Sequence, residues 1–355
     1  MYSIQATNYT IEIGSLIDSS LALLLGSQFK ESKKIILVDE NTKQFCLEYL
    51  ITSYQELAFA EIIELPAGEE NKQLEMCVQV WEALTEYQID RKALIINLGG
   101  GVITDMGGLI ASLYKRGISF INIPTTLLAM VDASVGGKTG VDLGIFKNQI
   151  GLFAFPKAVF IDPGFLNTLD NLQIKNGLAE MLKHGLISDL NHWKKLKTCV
   201  LNHENLTDEL IQLSVNIKNQ IVISDPFEVN ERKKLNFGHT IGHAIESFYL
   251  EKKTPILHGL AIAAGIQIEN YISLQMNFIS QIEYDEINQF ISQTYPKLNF
   301  TSENFDQIIS NTKQDKKNIK NQVMMVLLKS IGSAVVDVPV TEEMIRSGLN
   351  NYLKG

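Results

Sequence analysis

Cysteine is scarce in this chain: Cys46, Cys77 and Cys199 are its three thiols, widely spaced and odd in number among 355 residues. They support neither a disulfide framework nor a thiolate metal knuckle, and a reducing, cytoplasmic setting is expected. Basic charge is short as well. Lys and Arg number 31 against 40 Asp and Glu, so the net charge is -9 and the isoelectric point about 5.3. That balance excludes the basic stripe a nucleic-acid partner demands. No unbroken apolar run reaches membrane-spanning length, and residues 1–8 lack a basic start followed by an apolar core. Neither a membrane partner nor a targeting signal is expected. Internal repeats and low-complexity linkers are missing too, so a domain boundary must be placed by a change of pattern.

What is present is ordinary for a globular protein of two domains, with 45% hydrophobic and 20% charged residues. The first half alternates short β-branched runs with helical patterns, the mark of a parallel sheet covered by helices. Ile35-Ile36-Leu37-Val38, Ala93-Leu94-Ile95-Ile96-Asn97-Leu98, Phe120-Ile121-Asn122-Ile123 and Ala158-Val159-Phe160-Ile161-Asp162 are its clearest strands. From about residue 174 apolar residues recur at three and four, over 174–186, 206–223, 239–248 and 258–276, which predicts helices. Ser280-Gln281-Ile282-Glu283 reads as a capping box, and 322–338, with Gly332 in its middle, as a late hairpin. The expected fold class is α/β plus all-α: an α/β domain over 1–173, then a mostly helical domain over 174–355.

The run Gly99-Gly100-Gly101 follows the strand at 94–98 and precedes a helical pattern at 106–114. Strand, glycines, helix is an order that cradles phosphates, because bare backbone N–H groups and a helix N-terminus face the anion. The fingerprint differs from G-x-G-x-x-G and from the lysine-bearing P-loop, and a tight turn explains it equally well. Asp39 and the pair Thr125-Thr126 also end strands, where they suit a ribose or phosphate, or simply cap a helix. A second glycine-rich stretch over 132–140 places Lys138 on what reads as a flexible loop, followed by Lys147-Asn148. Arg116, Lys183, Lys218, Arg232, Lys316 and Lys317 are further cations for an anionic substrate.

Histidine is rare, at six residues, yet His239 and His243 stand four apart and His258 opens the next helical pattern. Imidazoles at that spacing share one helix face and suit a tetrahedral ion. The Glu that would follow His239 in a metalloprotease helix is absent, so a carboxylate ligand must come from elsewhere.

Four longer segments occur in one order: Gly99-Gly100-Gly101-Val102-x-x-Asp105; the stretch from Pro124-Thr125-Thr126 through Asp132 to Gly136-Gly137-Lys138-Thr139; Gly177-Leu178-Ala179-Glu180-x-x-Lys183; and Leu235-Asn236-Phe237-Gly238-His239-Thr240-x-Gly242-His243-Ala244. Together they resemble the 3-dehydroquinate synthase family, from about Ile35 to the Asp315-Lys316-Lys317 segment. The resemblance implies an NAD- and metal-dependent lyase that converts 3-deoxy-D-arabino-heptulosonate 7-phosphate to 3-dehydroquinate and phosphate. It implies a Rossmann-like NAD-binding domain followed by a metal-binding helical domain, a small phosphorylated sugar-acid substrate, and a homodimer. By motif, the implied ligands of Zn2+ (or Co2+) are Glu180, His239 and His258, with His243 moved to substrate contact. Implied NAD contacts are Asp39, Glu69, Lys72, Gly100, Gly101, Asp105, Thr125, Thr126, Lys147 and Thr168. Implied substrate contacts are Asp132, Lys138, Asn148, Lys183, Lys218, Arg232, Asn236, His243 and Lys316 or Lys317, with Arg116 reaching across the dimer interface.

Three departures stand out. Leu260 occupies a position where the family usually carries an acidic residue, which implies a lost hydrogen-bond acceptor beside His258. Asp142 replaces a usual Asn, and Asp170 a usual Pro. Rival readings are another sugar-phosphate cyclase whose substrate lacks a carboxylate, a metal- and NAD-dependent polyol dehydrogenase that releases NADH at each turnover, and an inactive scaffold.

Overall fold

The computed structural model of the chain describes residues 1–144, 146–313 and 323–354. The fold consists of two compact units, Met1–Ile174 and Lys175–Gly355.

The strands of the first unit are β1 (Tyr2–Gln5), β2 (Thr10–Ile13), β3 (Lys34–Asp39), β4 (Glu61–Leu65), β5 (Leu94–Gly99), β6 (Ser119–Pro124), β7 (Lys138–Leu143), β8 (Phe146–Phe153) and β9 (Ala158–Ile161). Seven of them form one sheet in the order β1-β2-β9-β6-β5-β3-β4, parallel except where β1 pairs antiparallel with β2. Ile35, Ile36, Leu37 and Val38, like Leu94, Ile95 and Ile96, are fully buried. Strands buried on both faces must be continuously apolar, which is why these runs do not alternate with polar residues. From β3 the chain goes outward to β4 and then returns to the opposite side of β3 as β5. The reversal leaves a crevice at the carboxyl ends of β3 and β5, the place where open α/β sheets take ligands.

The helix Gly101–Leu113 leaves β5 directly and lies tight on it: a Cβ at Gly107 would come within 1.9 Å of Asn97 Oδ1. β7 and β8 make a separate antiparallel hairpin. Lys138 therefore opens a strand and does not ride a flexible loop as its glycines suggest. Gly140 pairs with Gly151 across the hairpin, and a Cβ on Gly151 would lie 2.3 Å from the Thr139 carbonyl oxygen. Glycine here serves close approach of two backbones.

The second unit is mainly helical. It holds the greater part of the Asn171–Ser188 helix, then helices Leu190–Leu201, Asp208–Ser224, His239–Glu251, His258–Gln275, Gln281–Thr294, Phe305–Thr312 and Glu342–Lys354. One antiparallel hairpin, β10 (Val323–Ser330) and β11 (Ser333–Val340), turns through Gly332 at φ +92°. The capping box forms as its sequence predicts: Glu283 N donates to Ser280 Oγ, and Ser280 N to Glu283 Oε2.

The His239–Glu251 helix has two characters. Ile241, Ala244, Ile245 and Phe248 point into a core shared with Ile268, Ile272, Ile308 and Leu327, each large side chain contributing roughly 1.5–3 kcal/mol of burial. His239, His243 and Glu246 occupy the other stripe at i, i+4 and i+7. The neighbouring helix approaches closely because Gly265 lacks a side chain; a Cβ there would stand 2.0 Å from the Gly238 carbonyl oxygen. Gly238 itself sits at φ +79°, a left-handed conformation that favours glycine.

Candidate metal centre and nucleotide cradle

Three helices of the second unit place one ligand atom each. Glu180 is fully buried on Asn171–Ser188, His239 begins its helix, and His258 begins the next. Glu180 Oε1 lies 3.5 Å from His239 Nε2 and 3.5 Å from His258 Nε2. These three atoms belong to one group compatible with a metal ion. Tetrahedral ligands bound at about 2.0–2.2 Å are about 3.3–3.6 Å apart, so the spacing fits a small divalent cation. The same Oε1 is buried and accepts no hydrogen bond, whereas Oε2 is ion-paired with Lys183. An unpartnered buried carboxylate oxygen flanked by two imidazoles is the chemistry of a cation site.

The other ring nitrogens are also engaged. His239 Nδ1 is 3.1 Å from the Phe237 carbonyl oxygen, and His258 Nδ1 is 3.2 Å from Glu246 Oε2. With Nδ1 turned to an acceptor, each ring directs Nε2 toward Glu180. Position 260 is thus not the source of an acceptor for His258: Leu260 packs on the apolar core, and Glu246 takes that part. Burial opposes a charge on the His258 ring, but the Glu246 and Glu180 carboxylates outweigh it and push the pKa up to about 10. Burial likewise opposes ionisation of Glu180, yet Lys183 and then His258 hold it well below the usual carboxylate range.

Helix starts fix these positions. Glu269, fully buried, accepts from Gly238 N at 2.6 Å and Ile241 N at 3.1 Å, capping the His239 helix. Asn176 Oδ1 accepts from Gly259 N at 2.6 Å and ties the Glu180 helix to the start of the His258 helix. His243 lies beside both rings, 5.1 Å from His239 and 5.9 Å from His258 between centroids. It also groups with Glu246 and His258, but the Glu180-facing pair is His239 with His258 rather than the i, i+4 pair that helix spacing favours. Lys218 and Arg232 are buried cations; Arg232 Nη1 donates to the Pro226 carbonyl at 2.6 Å. Asn236 Nδ2 donates to Glu228 Oε1 at 2.5 Å. Lys316 and Lys317 lie outside the described residues.

In the first unit the strand ends carry the cradle. Gly100 is the N-cap of its helix, and a Cβ there would lie 3.2 Å from Thr126 Cγ2. Gly101 opens the first turn, and Thr125 N donates to the Gly99 carbonyl. Bare backbone at a helix start beside two threonines fits a dinucleotide phosphate. Lys72, almost fully buried, donates to Asp105 Oδ2 at 2.7 Å and Asn148 Oδ1 at 2.8 Å. Asn148 holds φ +52° while its N–H donates to Asp142 Oδ1 at 2.6 Å, so the substituted Asp142 braces the strained residue. Lys147 pairs with Glu69 at 3.4 Å.

Asp39 caps the next helix through Thr42 N at 2.8 Å, the alternative its position also allowed. The Thr168 hydroxyl donates to the Phe165 carbonyl oxygen at 2.7 Å, and burial pushes the Cys46 thiol, which senses both Thr168 and Asp39, up to about 11. Asp132 lies on the π-helical turn Ala129–Ala133. Arg116 is exposed at φ +68° beyond the far end of the helix from the glycines, about 20 Å along its axis at 1.5 Å per residue. Glu246, Glu269 and Asn176 are the site residues that sequence reading missed. Only Glu246 had a readable signal, on the His239–His243 stripe one turn further on.

Comparisons with known proteins match both units. The family model described as 3-dehydroquinate synthase N-terminal matches residues 62–176, and the C-terminal one residues 177–318. A curated 3-dehydroquinate synthase from Parabacteroides distasonis is 42% identical over 92% of this chain and 93% of its own. Among solved structures, 2-epi-5-epi-valiolone synthase from Streptomyces hygroscopicus with NAD+ and Zn2+ bound is 25% identical, with a TM-score of 0.86 over 100% of this chain and 99% of that one. The fold is shared also with 2-deoxy-scyllo-inosose synthase complexed with carbaglucose-6-phosphate, NAD+ and Co2+, at 23% identity and a TM-score of 0.84 over 99% of this chain and 100% of that one. On these matches, and with one acidic and two imidazole ligand atoms converging in its second unit, the chain belongs to the 3-dehydroquinate synthase family.

Proposed function

We propose that this protein is a 3-dehydroquinate synthase, converting 3-deoxy-D-arabino-heptulosonate 7-phosphate into 3-dehydroquinate and phosphate in the shikimate pathway. The observation that carries the reading is the orphaned Glu180 Oε1, 3.5 Å from two imidazole Nε2 atoms, in a chain matched along both units by that family. Glu180, His239 and His258 would hold a divalent cation. Asp39, Glu69, Lys72, Gly100, Gly101, Asp105, Thr125, Thr126, Lys147 and Thr168 would hold NAD. When bound, the cation supplies Lewis acidity toward a secondary hydroxyl and the dinucleotide a reversible hydride acceptor.

The chain's own side chains do the rest. Lys183, in its ion pair, keeps Glu180 ionised where burial would neutralise it. Arg232, anchored on the Pro226 carbonyl, presents a planar donor that suits the substrate carboxylate, with Lys138 as a second cation. Each such charge-assisted hydrogen bond contributes roughly 1.5–3 kcal/mol. Asp132, Asn236 and His243 suit the hydroxyls of the sugar acid, and Asn148, Lys218 and one of Lys316 and Lys317 its phosphate. Neutralising that phosphate favours its departure as the leaving group. Arg116, remote from the cradle within its own unit, is assigned to the site of a second copy in a homodimer. Among the described residues no helix is long and apolar enough to cross a membrane, and we place the enzyme in the cytoplasm.

Purified protein given the heptulosonate phosphate, catalytic NAD and zinc should release inorganic phosphate with no net NADH. No phosphate from zinc-loaded protein would reject the assignment, and NADH accumulating in step with substrate would point to a polyol dehydrogenase.

A further inference from the structure

We propose that Glu246 is a positioning residue for the cation, acting through His258, and that it supplies the acceptor that the apolar Leu260 cannot. The inference rests on the metal centre proposed above. Glu246 is 5% exposed and lies one turn beyond His243 on the stripe that starts at His239. Its Oε2 is 3.2 Å from His258 Nδ1, while the opposite ring atom, Nε2, is 3.5 Å from Glu180 Oε1. A carboxylate at Nδ1 selects the tautomer that carries its proton there, orients the ring, and makes Nε2 a stronger donor. His239 has a backbone carbonyl in the same place, which no side-chain substitution removes. Glu246 is therefore where the site can be weakened without touching a ligand. The helix of His239 thereby holds two corners of the centre, one as a ligand and one through the ring it supports.

The test uses the full chain, stripped of metal and titrated with Zn2+ against a chromogenic chelator, and separately loaded with Co2+ for its visible spectrum. Glu246→Ala should weaken zinc about 10 to 100-fold, the range for loss of such a partner. Glu246→Gln keeps an acceptor oxygen without the charge, so it should restore part of the affinity and shift the Co2+ bands less. If the alanine variant fails to fold, the glutamine variant alone decides. Wild-type affinity and an unchanged Co2+ spectrum in the variants would overturn the inference while leaving the metal centre standing. A wild-type chain that binds no zinc would instead remove the centre and the inference with it. Unimpaired zinc binding in Glu180→Gln would put the cation among His243, Glu246 and His258, and would overturn the positioning role in favour of direct ligation.

Discussion

Lys72 Nζ stands 2.7 Å from Asp105 Oδ2, an almost fully buried ammonium against a carboxylate on the helix that leaves the glycine run. Burial works against the charge on Lys72, but Asp105 and Glu69 outweigh it and raise its pKa. Breaking a buried pair from one side leaves the other charge uncompensated, at about 3–5 kcal/mol. Asp105→Asn and Lys72→Met should each lower the unfolding free energy, measured by urea denaturation, by that order. The double variant should lose less than the sum, and additive losses would show that the pair is not coupled.

Glu180→Gln should abolish turnover chiefly by losing the cation. Metal content measured on the purified variant is the check, since full activity with unchanged zinc would contradict the proposed ligand set.

Gly259 and Gly265 are predicted to be intolerant. A Cβ on Gly259 would come within 2.1 Å of the Asn176 carbonyl oxygen, and one on Gly265 within 2.0 Å of that of Gly238. Both obstacles are backbone, so helices must shift, at about 1–3 kcal/mol or more. Gly259→Ala should also weaken zinc binding, because His258 precedes it; retention of both stability and zinc affinity would mean the helices separate without disturbing the ligands.

Glu269→Gln tests the buried cap of the His239 helix. One amide oxygen replaces two carboxylate oxygens, and the amide N–H groups meet a backbone donor. The expected loss is roughly 1.5–3 kcal/mol, the scale of hydrogen bonds to a charged group, measured by chemical denaturation of the metal-free chain.

His192 should make the second unit sensitive to acid. It is 1% exposed, neither ring nitrogen has a hydrogen-bond partner, and burial lowers its pKa from 6.5 to about 4. The folded state keeps the ring neutral while the unfolded chain protonates it first. Stability is therefore full above pH 6.5 and falls as pH drops through the window toward 4, by up to about 3 kcal/mol at 1.36 kcal/mol per pKa unit. His192→Leu should flatten that part of the stability profile, and an unchanged acid limb would assign it to other groups.

The legible parts of the fold were those with a local cause. The buried strands at Ile35 and Leu94, the helices starting at His239 and His258, and the Ser280 capping box follow from apolar periodicity and hydrogen bonds spanning three or four residues. The β7–β8 hairpin was hidden because its glycines serve a partner strand and read locally as a mobile loop. Spacing pointed to His239 with His243, whereas the geometry pairs His239 with His258, since which ring meets Glu180 depends on how two helices cross.

Sequence alone determined the family and the succession of an α/β part by a helical part, because long ordered motifs and hydrophobic period are properties of the chain read in one dimension. Tertiary structure decided which nitrogen of each imidazole faces Glu180, that Glu246 and not position 260 lies against His258 Nδ1, and that Glu269 and Asn176 hold the starts of the His239 and His258 helices. The Glu246, Glu269 and Asn176 contacts join residues 12 to 83 positions apart. Directional hydrogen bonds between such distant groups come into being only when the helices pack.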